Sequence, residues 1–448
     1  RMVSLAQGEN GVFAYYLELA VRSLRRNPGL TALMVLAIGF GVSASMTMYA
    51  VFRGVSADPI PWKSSKLFVP QIDAWGPDHR ENGEPPSRLT YIDAMALIHQ
   101  HRAVRQSAIV GMSRLIVPPR NSQNDGLINA SGYAVYSDFF PMLDVPFHYG
   151  GGWSAGDDAR QDPVIVIGDH LNQTMFGGGN SVGKTVTIAD HTYRVVGVLK
   201  YWNPQPEFFF LLRFKQYEPD FFLPFQSVVS NNAISDGGAT CKSRDGSGQS
   251  FEALLRSDCV WISYMVELDN QAAVQAYRQY LDGYASQQQR LGRFQWGPNN
   301  RLRDLPAFLA YKHVVPSDTQ VSLLVAQGLL AVCLLNTVGL LLAKFLRRSG
   351  EIAVRRALGA SRVAIYAQFL TEAAMIGATG GLLGLLLTAL GVLSIGLVIP
   401  PNIAALARID PFLLALTLAL AVTTTLLAAV YPTYRASRVP PALQLKAQ

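Results

Sequence analysis

Charged residues are missing from four long stretches of this 448-residue chain. Each stretch is apolar and at least as long as the roughly 20 residues that an α-helix needs to cross the hydrocarbon core of a bilayer. Buried helices of soluble proteins rarely lack every Lys, Arg, Asp and Glu over such a length, so the absence argues against a soluble protein. We therefore predict four transmembrane helices, at residues 30–52, 321–343, 373–399 and 411–431.

Cysteine and histidine are also scarce, with three Cys and seven His in the chain. His99 and His101 are two residues apart and would point to different faces of a helix. No neighbouring Cys or acidic cluster completes a set of metal ligands, and no nucleophile, base and oxyanion group come together in a recognisable pattern. The acidic pair Asp157 and Asp158 is typical of a solvated turn. We expect no metal site, no catalytic residue and no cofactor bound by this chain.

Lys and Arg concentrate in the segments that flank the apolar stretches. Residues 1–29, 344–372 and 432–448 together hold 13 Lys or Arg and 4 Asp or Glu, a net charge of +9, whereas the whole chain carries +7. Positively charged flanks stay on the cytoplasmic side of a membrane. The pattern places both termini and the 344–372 loop in the cytoplasm, and it gives no indication of nucleic-acid binding.

The first apolar stretch is not typical of a cleaved signal peptide, because it is too long and lacks a convincing small-x-small cleavage site. We expect it to remain as an anchor. The segment 13–26 before it is basic and amphipathic, so we predict a helix within residues 1–29 that lies along the inner membrane surface.

The region between the first two stretches, residues 53–320, then faces the periplasm or the cell exterior. Residues 91–101 have a helical pattern, whereas 164–167, 186–188 and 193–199 are typical of short β-strands. The predicted fold class is a membrane α-helical protein of four transmembrane helices, with a large α+β periplasmic domain, expected to contain two subdomains, inserted between helices 1 and 2. A short periplasmic loop, residues 400–410, joins the last two helices.

Two of the three cysteines, Cys241 and Cys259, lie in this outer region, and Cys333 lies in the second apolar stretch. In an oxidising compartment the first two could close a loop, at a gain of about 3 kcal/mol in the chain-entropy model. The segment around them is rich in Gly and Ser and would be stabilised by such a cross-link, so we expect this disulfide. We expect Cys333 to be a small packing residue.

The segment 178–185, GGNSVGKT, matches the phosphate-binding loop pattern letter for letter. A phosphate loop needs a strand before it and a helix after it. Here a short helical pattern precedes the segment, and two strands joined by a turn at Asp190 and His191 follow it. We interpret it as a Gly-rich turn ahead of a β-hairpin.

Aromatic residues crowd the segment 201–225. They could line a path for an apolar substrate or form a docking patch, but we favour the core of the outer domain. Three consecutive aromatic residues are not expected to point inward together, so Phe208, Phe209 and Phe210 are the candidates for exposure.

Small residues cluster in the third apolar stretch at Gly377, Gly380, Gly381 and Gly384. This spacing permits close helix contact, within one subunit or across a dimer. Just before them, Glu372 stands at the inner edge of the stretch. We expect it to pair with a basic neighbour, with proton relay as the alternative.

The 344–372 loop contains signals for a short helix of its own. Glu351 and Arg355 are four residues apart in the orientation that stabilises a helix. Gly359 is suited to a left-handed helix stop, and Ser361 is suited to the N-cap of the following helix. The loop therefore predicts a short helix, a tight turn and the start of a membrane helix.

Residues 17–46, 131–153, 164–199, 351–384 and 431–445 resemble the corresponding segments of MacB/FtsX-type permeases of ABC transporters. The resemblance covers nearly the whole chain. It departs at Pro440 and Pro441, where an acidic residue and one Pro are common, and at the Cys-bearing excursion 232–259, which corresponds to none of these segments.

The resemblance implies a dimer of four-span subunits in the bacterial inner membrane, driven by a cytoplasmic ABC ATPase that binds ATP and Mg²⁺. The second permease subunit is another copy or a paralogue. Only 29 residues precede the first span, so we expect a separate ATPase subunit. The positions implied at the ATPase contact are Glu351, Ile352, Arg355, Arg356, Ala357, Leu358, Gly359 and Ala360.

Three roles are compatible with the resemblance. The leading one is export of a periplasmic substrate with a periplasmic adaptor and an outer-membrane duct, which the size of the outer region favours. The others are activation of a cell-wall hydrolase, as in FtsX, and lipoprotein extraction, as in LolC and LolE. In each, the membrane helices pass ATP-driven motion to the periplasmic side.

We predict that Arg356→Glu abolishes association with the ATPase while the protein still inserts into the membrane, because the substitution reverses a charge at the implied contact. Co-purification of the ATPase with the membrane-inserted variant checks this. Normal ATP-dependent function of the variant would contradict the assignment of this loop.

Overall fold

The computed structural model describes residues 22, 27–56, 58–118, 126–188, 190–204, 206–211, 218–232, 238–242, 250–314, 317–398 and 411–437. The chain forms two compact units, Asp58–Val314 and Arg1–Ala57 with Val315–Gln448. The predicted N-terminal surface helix lies almost entirely outside the described residues, as do the 400–410 loop and residues 438–448, so these predictions stay open.

Helices and strands of the described residues are numbered in chain order. The helices are α1 (Pro28–Ser56), α2 (Tyr91–Gln100), α3 (Phe139–Met142), α4 (Ala155–Arg160), α5 (Asp169–Phe176), α6 (Phe225–Ser230), α7 (Phe251–Arg256), α8 (Gln271–Arg290), α9 (Leu305–Tyr311), α10 (Ser317–Leu346), α11 (Ser349–Ala357), α12 (Arg362–Val398) and α13 (Pro411–Ser437). The strands are β1 (Leu67–Gln71), β2 (Arg105–Val117), β3 (Ile128–Val135), β4 (Phe147–Gly150), β5 (Val164–Ile167), β6 (Thr185–Ile188), β7 (His191–Leu199), β8 (Phe221–Pro224), β9 (Ser263–Glu267) and β10 (Arg301–Asp304).

Helices α1, α10, α12 and α13 are long and apolar enough to cross a membrane. They coincide with the four uncharged stretches, which confirms the prediction of four membrane helices. Their exposed large side chains are mainly Leu, Val and Phe, as expected of a surface that contacts lipid.

Small residues allow these helices to approach one another closely. A Cβ built at Gly380 of α12 would lie 2.9 Å from Ile38 of α1, and one built at Gly381 would lie 2.9 Å from Ala421 of α13. Adjacent glycines of α12 thus contact different helices, with Gly384 on the α1 side and Gly377 on the α13 side. These contacts lie within one chain, and a dimer contact stays a prediction.

Cys333 occupies a similar packing position in α10. Its Cβ lies 2.9 Å from the point where a Cβ at Gly41 of α1 would stand. The thiol therefore acts as a small apolar side chain between α1 and α10, as predicted.

In the Asp58–Val314 unit, β10, β1, β9 and β2 form an antiparallel sheet in that order. The connections β1–α2–β2 and β9–α8–β10 make two βαβ units whose strands interleave. This is the ferredoxin-like, split βαβ arrangement. In this arrangement α2 and α8 are the two helices that connect the strands. The helix predicted at residues 91–101 is present as α2.

The long strand β2 also belongs to a second group of strands. Arg105–Ile109 pair with β9, whereas Val110–Ile116 pair with β3. From β3 the pairing continues through β8, β5, β7 and β6, and β6 returns to β2. The six strands therefore close into a ring, which protects their edges from pairing with another chain.

The strands predicted from their Val and Ile content are present as β5, β6 and β7. The segment 178–185 lies between α5 and β6, and Gly178 and Gly183 have the positive φ angles of a turn, 81° and 90°. Asp190 also has a positive φ, 68°, at the hairpin turn. The interpretation of this segment as a turn before a β-hairpin is confirmed.

The expectation that Phe208, Phe209 or Phe210 would be exposed is wrong, because all three are buried. They lie in a turn rather than in a strand, so their side chains do not alternate between two faces. Phe210 lies over Gly111 of β2, where a Cβ would be only 2.6 Å from the ring. The missing side chain at Gly111 gives the third aromatic ring its place in the core.

The prediction of a solvated turn at Asp157 and Asp158 is also wrong for Asp158. The carboxylate of Asp158 is buried and accepts hydrogen bonds from Trp153 Nε1 at 2.8 Å and the Ser137 amide at 2.7 Å. Asp157 completes a capping box with Ser154 at the start of α4. Both carboxylates therefore fix the local backbone.

Cys241 and Cys259 form a disulfide in this structure. Thr240 pairs with Val260 in an isolated β-bridge beside it. Within the excursion 232–259, residues 233–237 and 243–249 lie outside the described residues, and these contacts place the short segment 238–242 beside residues 259 and 260.

We predict that Gly111→Ala destabilises the protein by about 1–3 kcal/mol, the usual cost of overpacking a core. The new methyl group would meet the Phe210 ring. Gly283→Ala is the matched control, because this glycine of α8 has open space around it, and Ala should stabilise the helix by about 0.5–1 kcal/mol. Chemical denaturation of the purified protein measures both changes, and equal stabilities would contradict the packing described.

Candidate functional site

The loop between α10 and α12 folds as its sequence predicts. Arg355 contacts Glu351 at 2.8 Å across one turn of α11. Gly359 follows the helix with a φ of 98°, which favours glycine. The Ser361 hydroxyl then accepts a hydrogen bond from the Ala364 amide at 3.2 Å and caps α12.

A buried carboxylate joins this loop to the membrane helices. Glu372 of α12 contacts Lys344 of α10 at 2.5 Å and Arg348 at 3.2 Å. The contact with Lys344 is an ion pair rather than a well-directed hydrogen bond. The side chains of Lys344 and Glu372 are 0% and 1% exposed, so each charge depends on the other for its compensation. The expected pairing of Glu372 with basic neighbours is confirmed.

The ionic contacts continue from Glu372 into α11. Arg348 also contacts Glu351 at 3.4 Å, and Arg355 donates a hydrogen bond to Gln368 Oε1 of α12 at 2.7 Å. The chain of contacts therefore leads from Lys344 through Glu372, Arg348 and Glu351 to Arg355, and returns to α12 at Gln368. It holds α11 against α12 at both ends.

An apolar contact supports the same arrangement. Ile352 of α11 is buried in a cluster with Ile365 and Phe369 of α12. Phe369 also contacts Phe345 of α10, with ring centroids 4.2 Å apart. Residues 365, 368, 369 and 372 share one face of α12, because they follow the helical spacing i, i+3, i+4, i+7.

The opposite side of the loop is exposed and partly apolar. Leu358 is 83% exposed, Val363 75% and Val354 52%. Gly359 is exposed beside them and Ala360 is half-buried. The backbones of Ala353, Arg356 and Ala357 belong to α11, but their side chains lie outside the described residues, so the role assigned to Arg356 stays a prediction.

Lys344, Arg348 and Gln368 were not predicted from the sequence to take part in the contacts between the loop and α12. A sequence pattern that could have indicated them was present, since 344 and 348 are one helical turn apart and 365, 368, 369 and 372 repeat on one helix face.

Among the residues that the structure describes, no group of three or more His, Cys, Asp or Glu could hold a metal ion. His99 and His101 are both exposed on or beside α2.

We predict that Glu372→Gln lowers the free energy of unfolding by about 3–5 kcal/mol, because it leaves the buried charge of Lys344 without full compensation. Unfolding of the purified protein in mixed micelles measures the change.

The matched variant is Lys344→Met with Glu372→Gln, which removes both buried charges. It should be more stable than Glu372→Gln alone, so the two substitutions should be strongly non-additive. Additive effects would contradict the direct pairing of these two side chains.

Most of this chain is similar in sequence to curated bacterial proteins. The pyoverdine export ATP-binding/permease protein PvdT of Pseudomonas aeruginosa is 23% identical over 396 residues, which cover 86% of this chain and 53% of that protein. The macrolide export ATP-binding/permease protein MacB of Rhodospirillum rubrum is 26% identical over 448 residues, covering 97% of this chain and 61% of that protein. The chain thus spans between half and two-thirds of the length of these relatives.

Among solved structures, the periplasmic region of MacB from Actinobacillus actinomycetemcomitans is similar to part of the chain. It is 14% identical with a TM-score of 0.36, and the match covers 57% of this chain and 97% of that structure.

Two family profiles match this chain one after the other. The MacB-like periplasmic core domain matches residues 31–284, more than half of the chain, and the FtsX-like permease C-terminal domain matches residues 323–441. The first covers α1 and most of the Asp58–Val314 unit, and the second covers α10–α13 with the loop between α10 and α12. With four apolar helices and a periplasmic core domain, the chain is an inner-membrane protein. It therefore belongs to the family of ABC transporter permeases that join a MacB-like periplasmic core domain to an FtsX-like permease domain.

Proposed function

We propose that this chain is the permease of an ABC exporter in which a cytoplasmic ATPase acts on α11. ATP and Mg²⁺ bind to the ATPase, and this chain converts the movement of α11 into movement of its periplasmic domain. The family membership and the export functions in the names of the relatives support the proposal. In this topology both termini and α11 are cytoplasmic, as the distribution of Lys and Arg predicts.

The observation that carries the proposal is the two-sided surface of the loop. The inner side of α11 is fixed to α12 by the Arg355–Gln368 hydrogen bond and by Ile352, and Arg348 directly before α11 pairs with Glu372. Leu358, Val354 and Val363 present apolar surface outward. A cluster of exposed apolar residues outside the bilayer is typical of a protein contact. An ATPase that binds this surface would move α12 together with α11.

Movement of α12 can reach the periplasmic domain through α1. Gly380 and Gly384 hold α12 close against α1, and Gly391 contacts Thr47 further along the same pair. The chain enters the Asp58–Val314 unit directly after α1 and leaves it directly before α10. A shift of α1 relative to α10 would therefore be transmitted covalently to that unit.

The substrate and the further partners are parts of the same proposal. We favour a periplasmic substrate that is exported with an adaptor and an outer-membrane duct, by a pair of permease subunits. Partners that co-purify from native membranes separate this role from its rivals, because a cell-wall hydrolase would indicate activation and a lipoprotein chaperone would indicate extraction.

We predict that Leu358→Asp weakens association with the ATPase by about 10–100-fold, which corresponds to the loss of one buried Leu from an interface. Co-purification of ATP-hydrolysing activity with the tagged permease measures the association.

Leu291→Asp is the control. Leu291 is 70% exposed, comparable to Leu358, but it lies at the end of α8 in the periplasmic domain. It should leave the association unchanged. Equal recovery of ATPase activity with Leu358→Asp and with the unchanged protein would refute the proposed contact.

A further inference from the structure

A crevice in the periplasmic domain brings together two cationic side chains. Arg88 precedes α2 in a loop, and Lys312 follows the end of α9. Both line a crevice whose other walls include Phe208, Phe209 and Phe308. None of these residues belongs to the loop that we propose as the ATPase contact.

The two cations are held in place by neutral partners. Arg88 donates hydrogen bonds to the carbonyl oxygen of Gly238 and, at 3.0 Å, to the hydroxyl of Thr240. The Lys312 ammonium donates to the Ser87 hydroxyl at 3.3 Å. Within the described part of the chain, no carboxylate lies at ion-pair distance from either side chain, although most Lys and Arg of this unit that are similarly buried have one.

The electrostatics of the crevice are unfavourable when nothing is bound. Burial lowers the pKa of Arg88 to about 10. Burial, and next the charge of Arg88, lower the pKa of Lys312, and only a weaker effect of Glu81 opposes them. Two like charges are therefore kept close together and partly shielded from water, a situation that an anion between them would relieve.

The size of the crevice limits what can enter it. Its volume is about 20 Å³, room for one group of the size of a water molecule. Oxygen atoms of a carboxylate or a phosphate have that size, and they accept charge-assisted hydrogen bonds from Lys and Arg. The body of a larger ligand would remain outside the crevice.

We propose that Arg88 and Lys312 form a binding site for an oxyanion, a carboxylate or phosphate group, on the periplasmic domain. The site is independent of the proposed ATPase contact. A free phosphate ion and the phosphate of an amphiphile both carry the required chemistry.

The disulfide has a defined place in this site. Thr240 and Gly238, the partners of Arg88, lie one and three residues before Cys241, which is bonded to Cys259. Thr240 also pairs with Val260. The cross-link therefore fixes the short segment that orients the guanidinium, and it gives the excursion a role in the site.

Titration of the purified full chain in a neutral detergent tests the proposal, with inorganic phosphate and dodecyl phosphate as separate probes. We expect saturable binding of at least one probe and an affinity about 10–100-fold lower for Lys312→Gln, as for the loss of one charge-assisted hydrogen bond. Tighter binding of dodecyl phosphate than of inorganic phosphate would indicate that the ligand is an amphiphile. Equal binding of the two probes would indicate that the ligand is a free phosphate ion.

Two controls separate binding from folding. Arg278→Gln removes an exposed cation of α8 and should leave the affinity unchanged. Lys312→Gln should not lower the melting temperature of the ligand-free protein, because it removes a repulsion, whereas a purely structural lysine would lower it. Absence of binding to both probes, or equal affinity of Lys312→Gln and the unchanged protein, would overturn the proposal.

Discussion

The buried carboxylate of Glu372 holds the loop end of the membrane unit together. Its charge is tolerable in the interior only because Lys344 and Arg348 compensate it, and these two residues precede α11 while Glu372 belongs to α12. The pairing therefore joins α10, the start of α11 and α12 in one place. With the inner side of α11 occupied in this way, Leu358 remains directed outward, where a partner can reach it.

The membrane helices then depend on small residues for their contacts. In a bilayer, apolar side chains gain little by leaving lipid for a protein neighbour, so close packing has to stabilise the bundle. Gly380 and Gly384 provide it between α12 and α1, and Gly377 and Gly381 between α12 and α13. The helix that receives the contacts of α11 thus also packs closely on α1, as the proposed mechanical role of α12 requires.

The periplasmic domain has a comparable central element in β2. This strand completes the ferredoxin-like sheet with one half and closes the six-stranded ring with the other. A displacement of the ferredoxin-like sheet would therefore be transmitted to the six-stranded ring through the continuous strand β2. Arg88 and Lys312 lie beside the ferredoxin-like part, one before α2 and one after α9, so an anion bound between them would connect segments from both ends of this domain.

The sequence by itself determined the four membrane helices, the strand at Val164–Ile167, the stop at Gly359 and the cap at Ser361, because each depends on hydropathy or on neighbours within a few residues. The tertiary structure alone decided that Phe208, Phe209 and Phe210 are all buried, and for Phe210 the space is provided by Gly111 on a distant strand. It also decided that Arg88 and Lys312 line one crevice, and that Lys344 and Arg348 are the basic residues that pair with Glu372. Such meetings depend on how whole elements pack, and no local pattern of residues encodes the distance between elements that are far apart in the chain.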